Sequence, residues 1–182
     1  NNLGVSESNL QTLGSNQLVL ELPGEQDPLA ASRVIGKTAL LEFRTQTSDS
    51  FNDLKKLQFQ RLQINNLIDS FNDLNKRSFD KNLKDKLENS LGEIEESLNY
   101  KANESELFLK LNETRKYINS QIANLFVKTN LTGKDLISAG RRQEQTNNNW
   151  EVLLSFTSEG GDKFAEITKS IAGSQRLLSI VL

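Results

Sequence analysis

The chain has 182 residues, 36% of them hydrophobic and 25% charged, which suits one core of ordinary size or a small domain carrying an insertion. Its 22 basic and 24 acidic residues leave a formal net charge of -2, so there is no electrostatic footprint for a phosphate backbone and nucleic acid is not an expected partner. His, Cys and Met are all absent, which excludes disulfides, thiol chemistry, imidazole acid–base work and most zinc or transition-metal sites.

An enzyme built from this chain would have to run on carboxylates, Lys, Tyr or Ser alone. The composition therefore points to a non-enzymatic protein with no cofactor. Asn1 is not a natural start, and the far end stops inside the apolar run 177–182, so a piece of a longer protein is expected. No stretch reaches the roughly 20 apolar residues of a membrane span.

From the N-terminus, a weak strand is predicted near 8–13. Leu18, Leu20 and Leu22 then alternate with Gln17, Val19 and Glu21 in a strand that Pro23-Gly24 ends. Asp27-Pro28 is a good helix start, because the Asp side chain can accept a backbone N–H and Pro is tolerated in the first turn. That helix carries Val34 and Ile35 and stops at Gly36. Ala39, Leu41 and Phe43 mark a second strand.

Residues 46–129 differ from both flanks, with no Pro and a single Gly at Gly92. Such a run of helix formers predicts about three helices, with breaks near 75–78 and 99–103. Phe79, Leu83, Leu87, Leu91, Ile94 and Leu98 keep helical spacing, as do Leu107, Leu111, Ile118, Ile122 and Leu125 around a gap at Thr114. Asp-Ser-Phe-Asn-Asp-Leu occurs at 49–54 and again at 69–74, a local duplication too short for a solenoid.

Beyond this segment, Trp150, Val152, Leu154 and Phe156 alternate in a strand. Phe164, Ile167 and Ile171 share a helix face up to Gly173, residues 177–182 form the last strand, and another weak strand is predicted near 137–145. Strand–helix–strand, insertion, strand–helix–strand is the split βαβ order. The expected class is α+β, with a ferredoxin-like base (residues 1–45 and 130–182) interrupted by a helical head (46–129).

Gly36-Lys37-Thr38 looks like the end of a phosphate-binding loop, but Ala31 stands where the first Gly belongs, and a helix precedes the triplet instead of following it. Gly133-Lys134-Asp135 fails likewise, with Lys128 at the first position. Glu93, Glu95, Glu96, Glu104 and Glu106 cluster around one predicted turn, yet their spacing matches no calcium loop and is read as a solvated tip.

The flanks resemble the SecD subunits of the bacterial Sec protein-export machinery, in their first extracytoplasmic domain. The resemblance rests on Asn2-Leu3-Gly4-Val5-Ser6-Glu7, Leu18-Val19-Leu20-Glu21-Leu22-Pro23-Gly24, Ile35-Gly36-Lys37-Thr38-Ala39 and Leu41-Glu42-Phe43-Arg44. It resumes with Leu131-Thr132-Gly133-Lys134-Asp135-Leu136 and with Thr157-Ser158-Glu159-Gly160-Gly161-Asp162-Lys163-Phe164. The long helical insertion is similar to that of cyanobacterial members. The resemblance implies a membrane-embedded parent of the bacterial plasma or thylakoid membrane, with this domain on the periplasmic or lumenal side. It also implies partnership with SecF and the Sec channel, a base and a mobile head, contact with an unfolded translocating polypeptide, and coupling to proton flow in the membrane part.

On that footing the hinge is expected at Thr45, Gln46, Lys128, Thr129 and Gly133, the last for its conformational freedom. The client-polypeptide surface is expected on the first inserted helix, at Phe51, Leu54, Leu57, Ile64 and Ile68. The competing functions are a structural spacer that docks a partner subunit and a small-ligand regulatory domain.

Overall fold

The computed structural model describes residues 10–13, 17–21, 41–76, 81–103, 105–143 and 150–181. The predicted helix at 27–36 and the Gly36-Lys37-Thr38 triplet lie outside them. In chain order the elements are β1 (Leu10–Leu13), β2 (Gln17–Glu21), β3 (Glu42–Gln46), α1 (Phe51–Lys76), α2 (Lys81–Ser97), α3 (Leu107–Asn124) and β4 (Phe126–Thr132). A 3-10 turn (Gly133–Asp135), β5 (Leu136–Gln143), β6 (Trp150–Phe156), α4 (Ser158–Ile171) and β7 (Leu178–Val181) follow. The chain divides into a mixed unit, residues 1–46 with 127–182, and a helical unit, residues 47–126.

The mixed unit is α+β, but its strands do not form the single sheet of a split βαβ. They make a four-stranded sheet in the order β1-β2-β6-β5 and a three-stranded sheet in the order β4-β3-β7. A βαβ unit places both of its strands, parallel, in one sheet; here β2 and β3 lie in different sheets, as do β6 and β7. Each early strand pairs antiparallel with a late one, Leu18 opposite Leu154 and Phe43 opposite Ile180, but the two pairs fall in separate sheets.

The cause lies in the segments that carry weak sequence signals. β1 and β5 take the outer edges of β2 and β6, and β4 takes an edge of β3. Lys128 and Thr129, expected at the hinge, lie with the residues up to Thr132 in a strand, with Leu131 buried. Their outward positions are polar, so only one buried apolar residue announces the pattern.

Both sheets and α4 share one core. Leu18, Phe43, Leu131, Val152, Leu154 and Phe156 meet Phe164 and Ile167 of α4, and the Phe156 ring stacks on Phe164 at 5.3 Å. α4 is amphipathic because Phe164 and Ile167 fall one turn apart on the face that meets the core. Gly173, at φ 74°, lies just past the helix end, where a left-handed residue is cheap for glycine.

The helical unit has its own core. Ile64 and Ile68 of α1 pack with Leu87, Leu91 and Ile94 of α2 and with Leu107, Leu111 and Ile118 of α3. The stripes of α2 and α3 are those the spacing predicts. The gap at Thr114 is filled by the threonine itself, which is fully buried and donates its hydroxyl to Glu95 Oε1 at 3.4 Å.

Without Gly, α2 ends through Asn99, whose φ of 49° is left-handed. The return loop is held by side chains: Ala102 N–H donates to Glu95 Oε1 and Asn103 N–H to Glu113 Oε2, both at 2.8 Å. Tyr100 stacks on Tyr117 with ring centroids 3.9 Å apart. At the other end of the unit, Thr47 N–H donates to Leu125 O at 2.8 Å. The two copies of the six-residue repeat serve different ends, one at the start of α1 and one within it.

Candidate functional site

Two of the motifs behind the resemblance meet at the start of α4. Thr132 and Asp135 form a capping box around the 3-10 turn, with Thr132 N–H donating to Asp135 Oδ2 at 2.8 Å. Lys163 reaches Asp135 Oδ1 at 2.8 Å and Glu159 Oε1 at 2.9 Å. Burial alone would raise the pKa of Asp135; the bonds from Lys163 and from Thr132 N–H outweigh it and hold the carboxyl below its usual value. The same bonds to Asp135 and Glu159 raise Lys163.

Thr157 caps α4, accepting from Gly160 N–H at 3.0 Å, while its own N–H donates to Asp135 O at 2.9 Å. Gly133-Lys134-Asp135 is therefore a folding clamp that aims a carboxylate at a lysine. It presents no helix N-terminus to a phosphate.

Of the expected hinge residues, Thr45 and Gln46 are buried at the end of β3. Gln46 is bonded on every side: its N–H donates to Leu177 O, its side-chain oxygen accepts from Leu177 N–H, and its carbonyl accepts from Arg176 Nε at 2.6 Å. Lys128 and Thr129 lie on β4, where Thr129 Oγ1 donates to Phe43 O at 2.8 Å and Lys128 pairs with Glu42. The bonds from Lys128 first and Arg44 next hold the Glu42 carboxyl below its usual range. Gly133 opens the 3-10 turn with its N–H on Leu41 O and without a positive φ.

Of the expected polypeptide-binding residues, the structure puts Leu54, Ile64 and Ile68 in buried positions and Leu57 half-buried against the helical core. Phe51 is half-buried, with Lys55 Nζ 4.4 Å above its ring. Among the described side chains of α1, the exposed large apolar ones are Phe59 (60%) and Leu62 (57%), three residues apart. Strict 3-4 spacing hides them, because both fall between the residues of the buried stripe. They are legible only as apolar residues left over once that stripe is subtracted.

Beside Phe59, between α1 and α2, runs a groove of 510 Å³. Its α1 wall presents Gln60, Gln63 and Asn66, and its α2 wall presents Ser90 and Ser97. Of the acidic cluster, Glu95 is committed to the 98–106 loop and Glu93 lines this groove. Among the described residues no group of three or more acidic side chains stands together as a metal site would require.

Comparison with known proteins places these features. A family model for the SecDF protein translocase subunit, P1 domain, N-terminal part, matches residues 1–48, and one for the SecDF P1 head subdomain matches residues 108–182. Residues 49–107 fall in neither. The head description covers α3 and everything after it, including the segment 130–182 expected from sequence to complete the base.

Over its whole length the chain is 48% identical to the protein translocase subunit SecD of Prochlorococcus marinus and 33% identical to that of Synechocystis sp.. It covers 37% and 34% of those proteins, so it spans about a third of the length of these curated relatives. The SecD of Escherichia coli is 50% identical over 44 residues, which is 24% of this chain and 7% of that protein. No solved structure matches. Matched along its whole length by SecD subunits, and at both ends by P1-domain models in the right order, the chain belongs to the SecD family of protein translocase subunits and comes from their P1 domain.

Proposed function

We propose that this chain serves protein export as the extracytoplasmic P1 domain of a membrane-embedded subunit working beside SecF and the Sec channel, and that it touches unfolded polypeptide as it emerges. No helix among the described residues is long and apolar enough to cross a membrane. The observation that carries the reading is the pair Phe59 and Leu62, two large apolar side chains held in water on one face of α1. An unfolded chain offers apolar side chains without a fixed shape. A small exposed apolar surface engages it weakly enough to let go.

Movement of the two units during export, driven by proton flow in the membrane part, belongs to the same proposal. Thr45, Gln46, Lys128, Thr129 and Gly133 flank the two passages between units. Because the first four sit in hydrogen-bonded strands, the dihedral change is assigned to the residues just outside those strands, Thr47 after β3 and Leu125 before β4.

The test is photo-crosslinking in the full-length subunit during translocation. Crosslinkers at Phe59 and Leu62 should capture a translocating chain several-fold more than one at Ile137, which is 68% exposed in the mixed unit. Equal capture, or none, would refute the reading. Capture of a folded membrane partner alone would establish a docking spacer instead.

A further inference from the structure

The groove between α1 and α2 has a chemistry that the exposed apolar pair does not explain. Ser97 Oγ donates its one proton to Ile94 O at 2.9 Å, so toward Gln60 it can only accept, and Gln60 Nε2 donates to it at 2.6 Å. That fixes the amide: nitrogen toward Ser97, oxygen elsewhere. The oxygen, Gln60 Oε1, is buried and has no hydrogen-bond partner, on a side chain that is itself 3% exposed. A buried acceptor left unpaired is unfavourable, so the Gln60 oxygen would gain from an N–H donor. The oxygen is covered, so a donor can pair with it only where the α1 and α2 walls part beside Gln60.

Beyond Gln60 the α1 wall continues with the exposed amides of Gln63 and Asn66, each of which both donates and accepts. Lys56 and Glu93, on opposite walls, offset each other's charge, so the groove selects no ionic ligand. From Lys56 to Leu67 it follows α1 for about 16 Å at about 1.5 Å per residue. That accommodates about five residues of extended chain at about 3.3 Å each.

We infer that this groove holds the main chain of an extended polypeptide segment, whose N–H and C=O groups pair with the amides of Gln60, Gln63 and Asn66 while Phe59 covers one of its side chains. The inference rests on the polypeptide-contact reading above and adds what is recognised. A main chain presents the same donors and acceptors whatever its sequence, so the groove serves any client. This is the selectivity that a surface for unfolded chains requires, and the apolar pair alone does not provide it.

The 182-residue chain should be titrated with a fluorescent unstructured peptide of about ten residues, with a scrambled version, and with a version carrying backbone esters at alternate positions. The esters remove N–H donors without adding bulk. The parent and scrambled peptides should bind within about twofold of each other, and the ester peptide about fivefold more weakly. Gln60→Met and, separately, Gln63→Ala should each weaken the parent peptide several-fold and leave the ester peptide nearly unchanged. Gln63 is exposed, so its variant stays informative even if the Gln60 variant fails to fold.

Equal binding of parent and ester peptides, or unchanged binding by both variants, would overturn the main-chain groove. In that outcome crosslinking at Phe59 and Leu62 would still stand. Absence of any peptide binding together with absence of crosslinks would instead remove the underlying reading, and the groove with it.

Discussion

Gly160, in the first turn of α4, is pressed against the backbone it is hydrogen-bonded beside. A Cβ at this position would lie 2.7 Å from Asp135 O, 2.9 Å from Asp135 Cβ and 3.1 Å from Thr157 Oγ1. The two nearest atoms belong to the backbone and Cβ of Asp135, so no flexible side-chain tip can swing away. Gly160→Ala must therefore push the start of α4 off the 3-10 turn, lengthening the Thr157–Asp135 and Lys163–Asp135 bonds together. Overpacking of this kind costs about 1–3 kcal/mol and a weakened cap about 1, against about 1 returned by alanine's helix propensity.

The expected net loss is about 2 kcal/mol, or roughly 4–8 °C in melting temperature for a chain of this size. Trp150, the single tryptophan, lies in β6, so its fluorescence during urea denaturation follows the mixed unit alone. Hydrogen exchange of the α2 and α3 amides, unchanged in the variant, serves as the control. A Gly160→Ala midpoint within about 0.5 kcal/mol of the parent would refute the close-approach reasoning.

Gly92, in the middle of α2, is the opposite case: a Cβ there meets nothing within 4 Å, so Gly92→Ala should stabilise the helical unit by about 0.5–1 kcal/mol, read by exchange of the α2 amides. Ile118, fully buried between the helices, should cost about 2–5 kcal/mol when cut to Ala, and loss of the α3 circular dichroism signal at lower urea would show it. The Asp135 carboxyl is held below its usual pKa, so its contribution is complete above the unfolded value near 3.9 and is lost as pH falls through the lower folded value. Trp150-monitored stability should fall below about pH 4, and Asp135→Asn should be less stable at pH 7 with a shallower acid slope; equal slopes would sink the assignment. Replacing residues 48–124 with a short turn should leave a mixed unit that still unfolds cooperatively, since both sheets and their core lie outside that segment; a product without a cooperative Trp150 transition would contradict this.

Strong periodicity was readable and weak periodicity was not. Val152, Leu154 and Phe156 alternate without interruption, Phe164, Ile167 and Ile171 share one face, and β6 and α4 lie where those patterns place them. The 3-4 stripes of α2 and α3 are likewise buried as spaced. Sheet partnership was not readable, because it depends on which edges the weak strands occupy. β4 shows one buried leucine among Val, Lys, Thr and Asn, and without it β3 has no reason to leave the sheet of β2.

The same limit governs the candidate site. An apolar residue on a helix looks alike in sequence whether it is buried or held in water, so the sequence points to Ile64 and Ile68, which are buried, and passes over Phe59 and Leu62, which are exposed. The groove amides carry no sequence signal at all, since Gln and Asn on a polar helix are ordinary. Only the orientation that Ser97 imposes on Gln60 distinguishes them.

The bond between Thr47 N–H and Leu125 O joins the first and nearly the last residue of the helical unit. A segment whose ends already touch is a closed excursion, and its contour length makes no demand on the place where it departs and returns. Residues can be added or removed within such a loop for a small entropic change, about 0.6 kcal/mol per doubling of a flexible one. Residues 49–107, which neither family model matches, lie wholly inside this closure. A closure of this kind lets the helical segment lengthen or shorten without altering the strands that flank it, and the groove proposed above lies inside that segment.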